Sequence, residues 1–342
     1  MSQPAARHPR HEQHQKDALR VADLTVSFVN RDRTVRAVEG VSFELLPGEI
    51  LGLVGESGCG KSVTSLSILG LHEKPAGRVT GSIRLGQQEL LTLPSEQLRR
   101  VRGNRISMIF QDPLTSLNPY LRVEEQLGEV LELHLNMTGQ PARARMLEIL
   151  KQVGIPGEER LRAYPHQLSG GMRQRICIAM ALLCNPEVLI ADEPTTMLDV
   201  TIQSQILDLL RGLRQARGMS ILFITHDLGV VAELCDRVVV MYAGRIVEQG
   251  ATTEVLRRPL HPYTEALLKS TPRVEVKGGG ELHPIGGLPP RLSGEQLTEC
   301  AFAPRCLRVR DGCRNGEPAL EATADGRLRR CIIPIAELPE RA

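Results

Sequence analysis

Eight residues constrain this chain more than any others. Gly55-Glu56-Ser57-Gly58-Cys59-Gly60-Lys61-Ser62 fits the pattern G-x-x-x-x-G-K-[ST]. Its flanks give the motif weight. Ile50-Leu51-Gly52-Leu53-Val54, just before it, is a continuous apolar run, as expected of a strand buried on both faces. Residues 61–70, just after it, read as a helix. Strand, glycine-rich turn and helix in that order let backbone N–H groups turn inward onto phosphate oxygens, while the positive end of the helix faces the same anion. Lys61 is then expected to reach the β and γ phosphates of a nucleotide, and Ser62 to give its hydroxyl to Mg²⁺. The nucleotide-binding residues expected here are Gly55, Glu56, Ser57, Gly58, Cys59, Gly60, Lys61, Ser62 and the adjoining Val63. Cys59 lies among backbone N–H groups at a helix start, a setting that predicts a depressed thiol pKa and alkylation that ATP blocks.

Two further apolar runs, Val188–Ala191 and Ile221–Ile224, alternate with helical patterns at 141–153, 172–184 and 201–217. Buried strands alternating with helices predict a parallel α/β core. Before the loop, Leu19–Phe28 and Val41–Leu45 alternate as half-buried strands do, and Pro47-Gly48 turns the chain. The stretch from about 112 to 187 interrupts the alternation with mostly helical signals. At 342 residues the chain suits about two domains. Residues 1–18 are polar and read as a disordered tail without a secretory signal, which predicts a chain that stays in the cytosol. The apolar runs are too short to cross a bilayer. Net charge is +2, from 42 basic and 40 acidic residues, and aromatics make up 3 % with no Trp. Those numbers speak against a nucleic-acid partner, which would want a basic field or stacking platforms.

The second half of a nucleotide site follows the run at 188–191. Asp192 and Glu193 come at the carboxyl end of that strand, where α/β ligands bind. Asp192 is placed to hold Mg²⁺ and Glu193 to polarise an attacking water. The next core strand ends Thr225-His226-Asp227, which would turn His226 toward the γ-phosphate.

Leu168-Ser169-Gly170-Gly171-Met172 precedes Asp192. With the phosphate loop, Asp192-Glu193 and His226 in this order, residues 19–260 resemble the ATP-binding subunits of ABC transporters. The resemblance implies a P-loop ATPase core with an antiparallel β lobe, a helical subdomain at about 112–187 and ATP hydrolysis with Mg²⁺. It implies that Phe28 stacks on adenine and that Glu193 is the catalytic base. It also implies that His226 steadies the γ-phosphate. Gln111 in Ile109-Phe110-Gln111-Asp112-Pro113 would touch Mg²⁺ and the attacking water, joining Ser62 and Asp192 as metal-site residues. Asp199 would contact a partner ATPase. Leu168, Ser169, Gly170, Gly171 and Met172 would cap ATP held by that second subunit. The helix from Met172 to Cys184 is about 20 Å long at ~1.5 Å per residue, which keeps its N-terminal end away from the chain's own phosphate loop.

Finer matches narrow the branch. Tyr164-Pro165-His166-Gln167, Met172-Arg173-Gln174-Arg175, Ala191-Asp192-Glu193-Pro194-Thr195-Thr196 and His261–Leu268 resemble the dipeptide/oligopeptide importer subfamily. Ile178-Ala179-Met180-Ala181 resembles the first of its two unlike ATPase subunits. The implied partners are two transmembrane permease subunits, a second ATPase subunit and an extracytoplasmic solute-binding protein, with the chain peripheral on the cytoplasmic face of the membrane. An importer of nickel or another small solute, and a soluble ABC ATPase of translation or DNA repair, are the competing readings. One phosphate loop and no sustained heptads weigh against the latter.

After about residue 260 the composition shifts to Gly-Gly and Pro-Pro turns with little periodicity, so residues 261–342 read as a small extension. It holds Cys300, Cys306, Cys313 and Cys331, with five, six and seventeen residues between them. No C-x₂-C pair occurs, unlike ordinary zinc modules. Four thiolates can hold an iron–sulfur cluster or zinc, and free thiols remain an alternative. Cys300–Cys306 resembles the C-terminal extension of peptide-importer ATPases, which implies a [4Fe–4S] cluster. Cys177, Cys184 and Cys235 lie in apolar contexts and read as core packing.

Overall fold

A computed structural model describes residues 17–30, 33–72, 77–196, 198–270, 284–290 and 297–340. The expected tail at 1–18 falls almost wholly outside them. The chain begins with β1 (Leu19–Asn30), β2 (Arg33–Leu45) and β3 (Ile50–Val54), followed by α1 (Lys61–Ile68), β4 (Gly77–Leu85), β5 (Gln88–Glu89), α2 (Ser95–Val101) and β6 (Ile106–Ile109). Four helices come next: α3 (Pro113–Ser116), α4 (Val123–Leu135), α5 (Gly139–Gln152) and α6 (Gly170–Leu182). Then follow β7 (Val188–Asp192), α7 (Val200–Arg217), β8 (Ser220–Thr225), α8 (Leu228–Leu234), β9 (Arg237–Tyr242), β10 (Arg245–Ala251), α9 (Thr252–Arg257) and α10 (Pro262–Ser270). Two short strands near the C-terminus, β11 (Glu321–Ala322) and β12 (Leu328–Arg329), complete the order.

The main sheet runs β11-β12-β10-β9-β3-β8-β7-β6, and its centre is parallel: β9, β3, β8, β7 and β6. Every residue of β3, β7 and β8 is buried, which explains their unbroken apolar sequences. Gly52 lets α8 press close to β3, since a Cβ there would sit 3.1 Å from Cys235 Sγ. A second, antiparallel sheet has the order β2-β1-β4-β5. Leu19, Val21, Leu24 and Val26 of β1 are buried and share a core with Leu51, Leu53, Val239 and Met241 of the main sheet. The other face of the main sheet packs on the helices. Ile206, Leu207, Leu210 and Leu213 bury one stripe of α7, while Ile176, Ile178, Ala179 and Leu182 of α6 are fully buried among α3, α4, α5 and β6.

Several elements depart from the sequence expectation. β2 begins at Arg33, well before Val41, because Thr34 and Arg36 occupy ladder positions against β1 although their polarity hides the strand. β4 and β10 add strands that the apolar runs did not mark. The C-terminal extension joins the main sheet directly, with Leu328 paired to Gln249. Among the described residues, no helix is long and apolar enough to cross a membrane.

Candidate active site

The phosphate loop leaves β3 and enters α1 through backbone that only glycine tolerates at two points. Gly55 has φ +155°, and a Cβ there would overlap the Met241 carbonyl oxygen. Gly60, the N-cap of α1, has φ +108° and lies where a Cβ would stand 2.9 Å from the Ala37 carbonyl oxygen. The loop is therefore clamped between β2 and the end of β9. Lys61 is 5 % exposed, and its ammonium donates to the carbonyls of Gly55 (2.7 Å) and Glu56 (3.1 Å). The Glu56 N–H donates to Tyr263 Oη at 2.8 Å. Cys59 overturns one expectation. Its thiol is 5 % exposed, and burial pushes its pKa up despite the nearby Lys61 ammonium. Desolvation here outweighs the helix terminus.

At the end of β7, Asp192 is 4 % exposed and faces α1. Ser62 Oγ donates to Asp192 Oδ1 and Ser65 Oγ to Asp192 Oδ2, both at 3.4 Å. Burial raises the Asp192 pKa against those hydrogen bonds, and the neighbouring Glu193 charge adds to the rise. A hydroxyl and a carboxylate this close form a hard oxygen pair suited to Mg²⁺.

Glu193 adopts a left-handed backbone, φ +46°, and its N–H donates to the Ile224 carbonyl of β8 at 2.9 Å. Such a conformation is costly for a non-glycine residue and aims the side chain away from the strand axis. The carboxylate is held by three groups. Gln111 Nε2 donates to Oε2 at 3.1 Å, Thr196 Oγ1 donates to Oε2 at 3.0 Å, and His226 Nδ1 lies 3.3 Å from Oε1. Residues from three separate strand ends thus converge on one partly covered carboxylate. Of these, Thr196 was missed as a site residue, although it stands within the quoted 191–196 stretch.

Phe28 lies on β1 and packs edge-on against His72, ring centroids 5.4 Å apart. His72 Nε2 is within 2.7 Å of Ser67 Oγ and 3.2 Å of the Val63 carbonyl, so it ties Phe28 to α1. Sequence gave no sign of that histidine. Ser169 caps α6, accepting from the Met172 N–H at 3.3 Å, and Leu168 anchors the turn at 3 % exposure. A Cβ on Gly171 would stand 3.0 Å from Ile202 Cγ2, so the N-termini of α6 and α7 are adjacent. Asp199 caps α7, accepting from the Ile202 N–H at 2.9 Å. Among the described residues, no hydrogen bond or ion pair joins Ser169 or Asp199 to the chain's own phosphate loop.

In the extension, Cys300, Cys306, Cys313 and Cys331 line one narrow cavity with His261, Phe302 and Ile333. Burial pushes the Cys300 thiol up to about 11, and the three other cysteines reinforce the rise. Cys306 and Cys331 rise for the same reason. Burial lowers His261 to about 3, so its imidazole is neutral and Nδ1 accepts from the Tyr263 N–H at 3.0 Å. As the side chains stand, no three His, Cys, Asp or Glu of the described residues are close enough together to hold a metal ion. The donor chemistry suits a soft metal, whereas the thiol spacing is not a ready-made ligand set. Cys177, Cys184 and Cys235 are buried in the core, as expected.

Comparison with known proteins agrees with these features. Residues 38–196 match the ABC transporter family, and residues 247–313 match the C-terminal region of oligopeptide/dipeptide transporters. The chain is 50 % identical over 322 residues to the oligopeptide transport ATP-binding protein OppD of Salmonella typhimurium, covering 94 % of this chain and 95 % of that protein. It is 50 % identical over 317 residues to the dipeptide transport ATP-binding protein DppD of Bacillus subtilis, covering 92 % and 94 %. Among solved structures it resembles the ATP-binding cassette MJ0796 in a dimeric post-hydrolysis state with ADP and Pi. There the TM-score is 0.62 and identity 28 %, over 68 % of this chain and 98 % of that one.

Proposed function

Because the chain belongs to the ABC transporter ATP-binding proteins and is an ATPase, we propose that it powers import of oligopeptides or dipeptides through partner permeases. The observation that carries the catalytic part is the convergence of Gln111, Thr196 and His226 on the Glu193 carboxylate. Support for peptides as cargo comes from the match of residues 247–313 and from the relatives' names.

ATP would lie with its phosphates against the N–H groups of residues 55–63 and its adenine against Phe28. Lys61 would exchange the Gly55 and Glu56 carbonyls for β- and γ-phosphate oxygens. Ser62, Asp192 and Gln111 would hold Mg²⁺, which when bound neutralises phosphate charge. Glu193 would take the proton of the attacking water. Gln111 and Thr196 fix that carboxylate, and His226, 59 % exposed, has room to turn toward the γ-phosphate. Leu168–Met172 at the α6 N-terminus and Asp199 would complete the ATP site of a second, unlike ATPase subunit, since both lie apart from this chain's own loop. We assign 19–260 to the ATPase unit, with a helical subdomain at about 112–187, and 261–342 to the extension.

An apolar groove between β6 and α6, lined by Leu71, Phe110, Val130, His134 and Met180, adjoins Gln111. Phe110 is 42 % exposed and Leu71 41 %. This groove suits a short permease helix, whose docking would bear on Gln111. The chain would then be peripheral on the cytoplasmic face, with an extracytoplasmic protein delivering solute. In the extension, Cys300, Cys306, Cys313 and Cys331 would hold a [4Fe–4S] cluster, ahead of zinc, only after their side chains turn toward one another and lose their protons.

Gentle solubilisation of membranes with ATP and tagged Glu193→Gln tests the assignment. Two polytopic proteins and an unlike ATPase should co-purify. Recovery of ribosomes or repair proteins without membrane proteins would refute it.

A further inference from the structure

The extension reaches back to the phosphate loop through one side chain. Arg305 closes the short turn Ala303–Arg305, between Cys300 and Cys306. Its side chain is 4 % exposed. Nη1 donates to Glu56 Oε2 at 2.7 Å and Nη2 to Glu56 Oε1 at 2.9 Å, a two-pronged ion pair. Nε donates to the Gly286 carbonyl at 2.9 Å, Nη1 also reaches Tyr242 Oη at 3.3 Å, and the guanidinium carbon lies 5.8 Å from the centre of the Tyr242 ring. Phe302, in the same turn, packs edge-on against Tyr242 and Tyr263. Tyr263 in turn accepts the Glu56 N–H. One turn of the extension therefore grips Glu56 by its carboxylate and braces the ring that holds its backbone.

Glu56 is the second residue of a loop expected to gather a polyanion. A free carboxylate there would oppose the triphosphate that the surrounding N–H groups attract. Arg305 supplies the opposite charge and holds the carboxylate to one side. We propose that Arg305 is a positioning residue for ATP: it cancels and orients the Glu56 carboxylate, so nucleotide affinity depends on the docked extension. The proposal rests on the assignment of residues 55–62 as the phosphate site.

A double-mutant cycle on the full-length chain tests it, with ATP dissociation constants from equilibrium dialysis. Arg305→Met should weaken ATP binding roughly tenfold, the scale of a repulsion between two unscreened charges several ångströms apart near a protein surface. In a Glu56→Gln background the same change should shift affinity less than about twofold, because no charge remains to unmask. AMP, which lacks the β and γ phosphates, should lose less than ATP. If Arg305→Met does not fold, Arg305→Lys keeps the charge but not the two-pronged geometry. It should cost roughly threefold in the wild-type background only. Equal losses in both backgrounds would overturn the proposal, leaving Arg305 a docking contact, and so would no loss in either. Lys61→Ala separates the two assignments. ATP binding unchanged in that variant would sink the phosphate site and the proposal together, whereas its loss beside a flat cycle would sink the proposal alone.

Discussion

Replacing Glu193 by Gln removes a negative charge and a proton acceptor while keeping side-chain length. Three contacts define what remains: donors from Gln111 (3.1 Å) and Thr196 (3.0 Å), and His226 Nδ1 at 3.3 Å. The amide oxygen of Gln can still accept from Gln111 and Thr196, and its NH₂ can face His226. The left-handed backbone at residue 193, already adopted by Glu, is no costlier for Gln, which branches at the same carbon. Geometry is thus largely kept, and the cost falls on proton transfer, worth about 10²–10⁴ in rate for a positioned general base. At about 1.36 kcal/mol per tenfold, that is roughly 3–5 kcal/mol of barrier. Removing one orienting donor, as in Thr196→Val, costs a hydrogen bond to a charged group, about 1.5–3 kcal/mol. ATP turnover of the purified complex, measured as phosphate release at saturating ATP, should fall at least a hundredfold in Glu193→Gln. The ATP dissociation constant should stay within about threefold, since binding relies on the loop and Lys61. Turnover within about fivefold of wild type would refute the assignment of Glu193 as base, because no positioned general base is worth so little.

Other parts of the fold yield sharper tests of stability and composition. Gly55→Ala would place a methyl on the Met241 carbonyl oxygen at φ +155°, so thermal unfolding should come earlier, with a loss of at least ~2 kcal/mol, and ATP binding should disappear. Glu248 is fully buried, accepts from the N–H groups of Leu260 (2.7 Å) and His261 (3.0 Å), and is raised by burial to about 7. The folded chain therefore holds a proton that the unfolded chain releases above the ordinary carboxyl value of 4.5, and this group's contribution to stability falls as pH rises from 4.5 through about 7. Urea unfolding at pH 5 and pH 7.5 should show that this component is missing in Glu248→Gln. Iron and zinc analysis of chain purified without oxygen should find metal that Cys306→Ser lacks, and equal metal content in both would remove the cysteine pocket as a metal site.

What could be read from the sequence follows from how local each signal is. β3, β7 and β8 announce themselves because both faces are buried, so their apolar runs are unbroken. The phosphate loop and the Asp192-Glu193 pair are legible because their chemistry lies in consecutive residues at a strand end. β2 was only half visible, since its polar ladder positions at Thr34 and Arg36 break the pattern. Long-range pairings left no trace at all. His72 meets Phe28 across the lobe, and Arg305 meets Glu56 from the far end of the chain. Cys59 shows a rule overruled: the helix terminus that lowers a thiol pKa is outweighed once the same packing that shapes the loop buries the sulfur.

The most direct measurement is transport itself. The chain would be reconstituted in vesicles with the permeases and any second ATPase that co-purify with it, and with a candidate solute-binding protein on the opposite side. Movement of labelled di- and oligopeptides would then be followed with and without ATP. ATP-dependent peptide movement that Glu193→Gln abolishes is the predicted result. A complex that hydrolyses ATP but moves nickel, or no peptide at all, would contradict the proposed cargo.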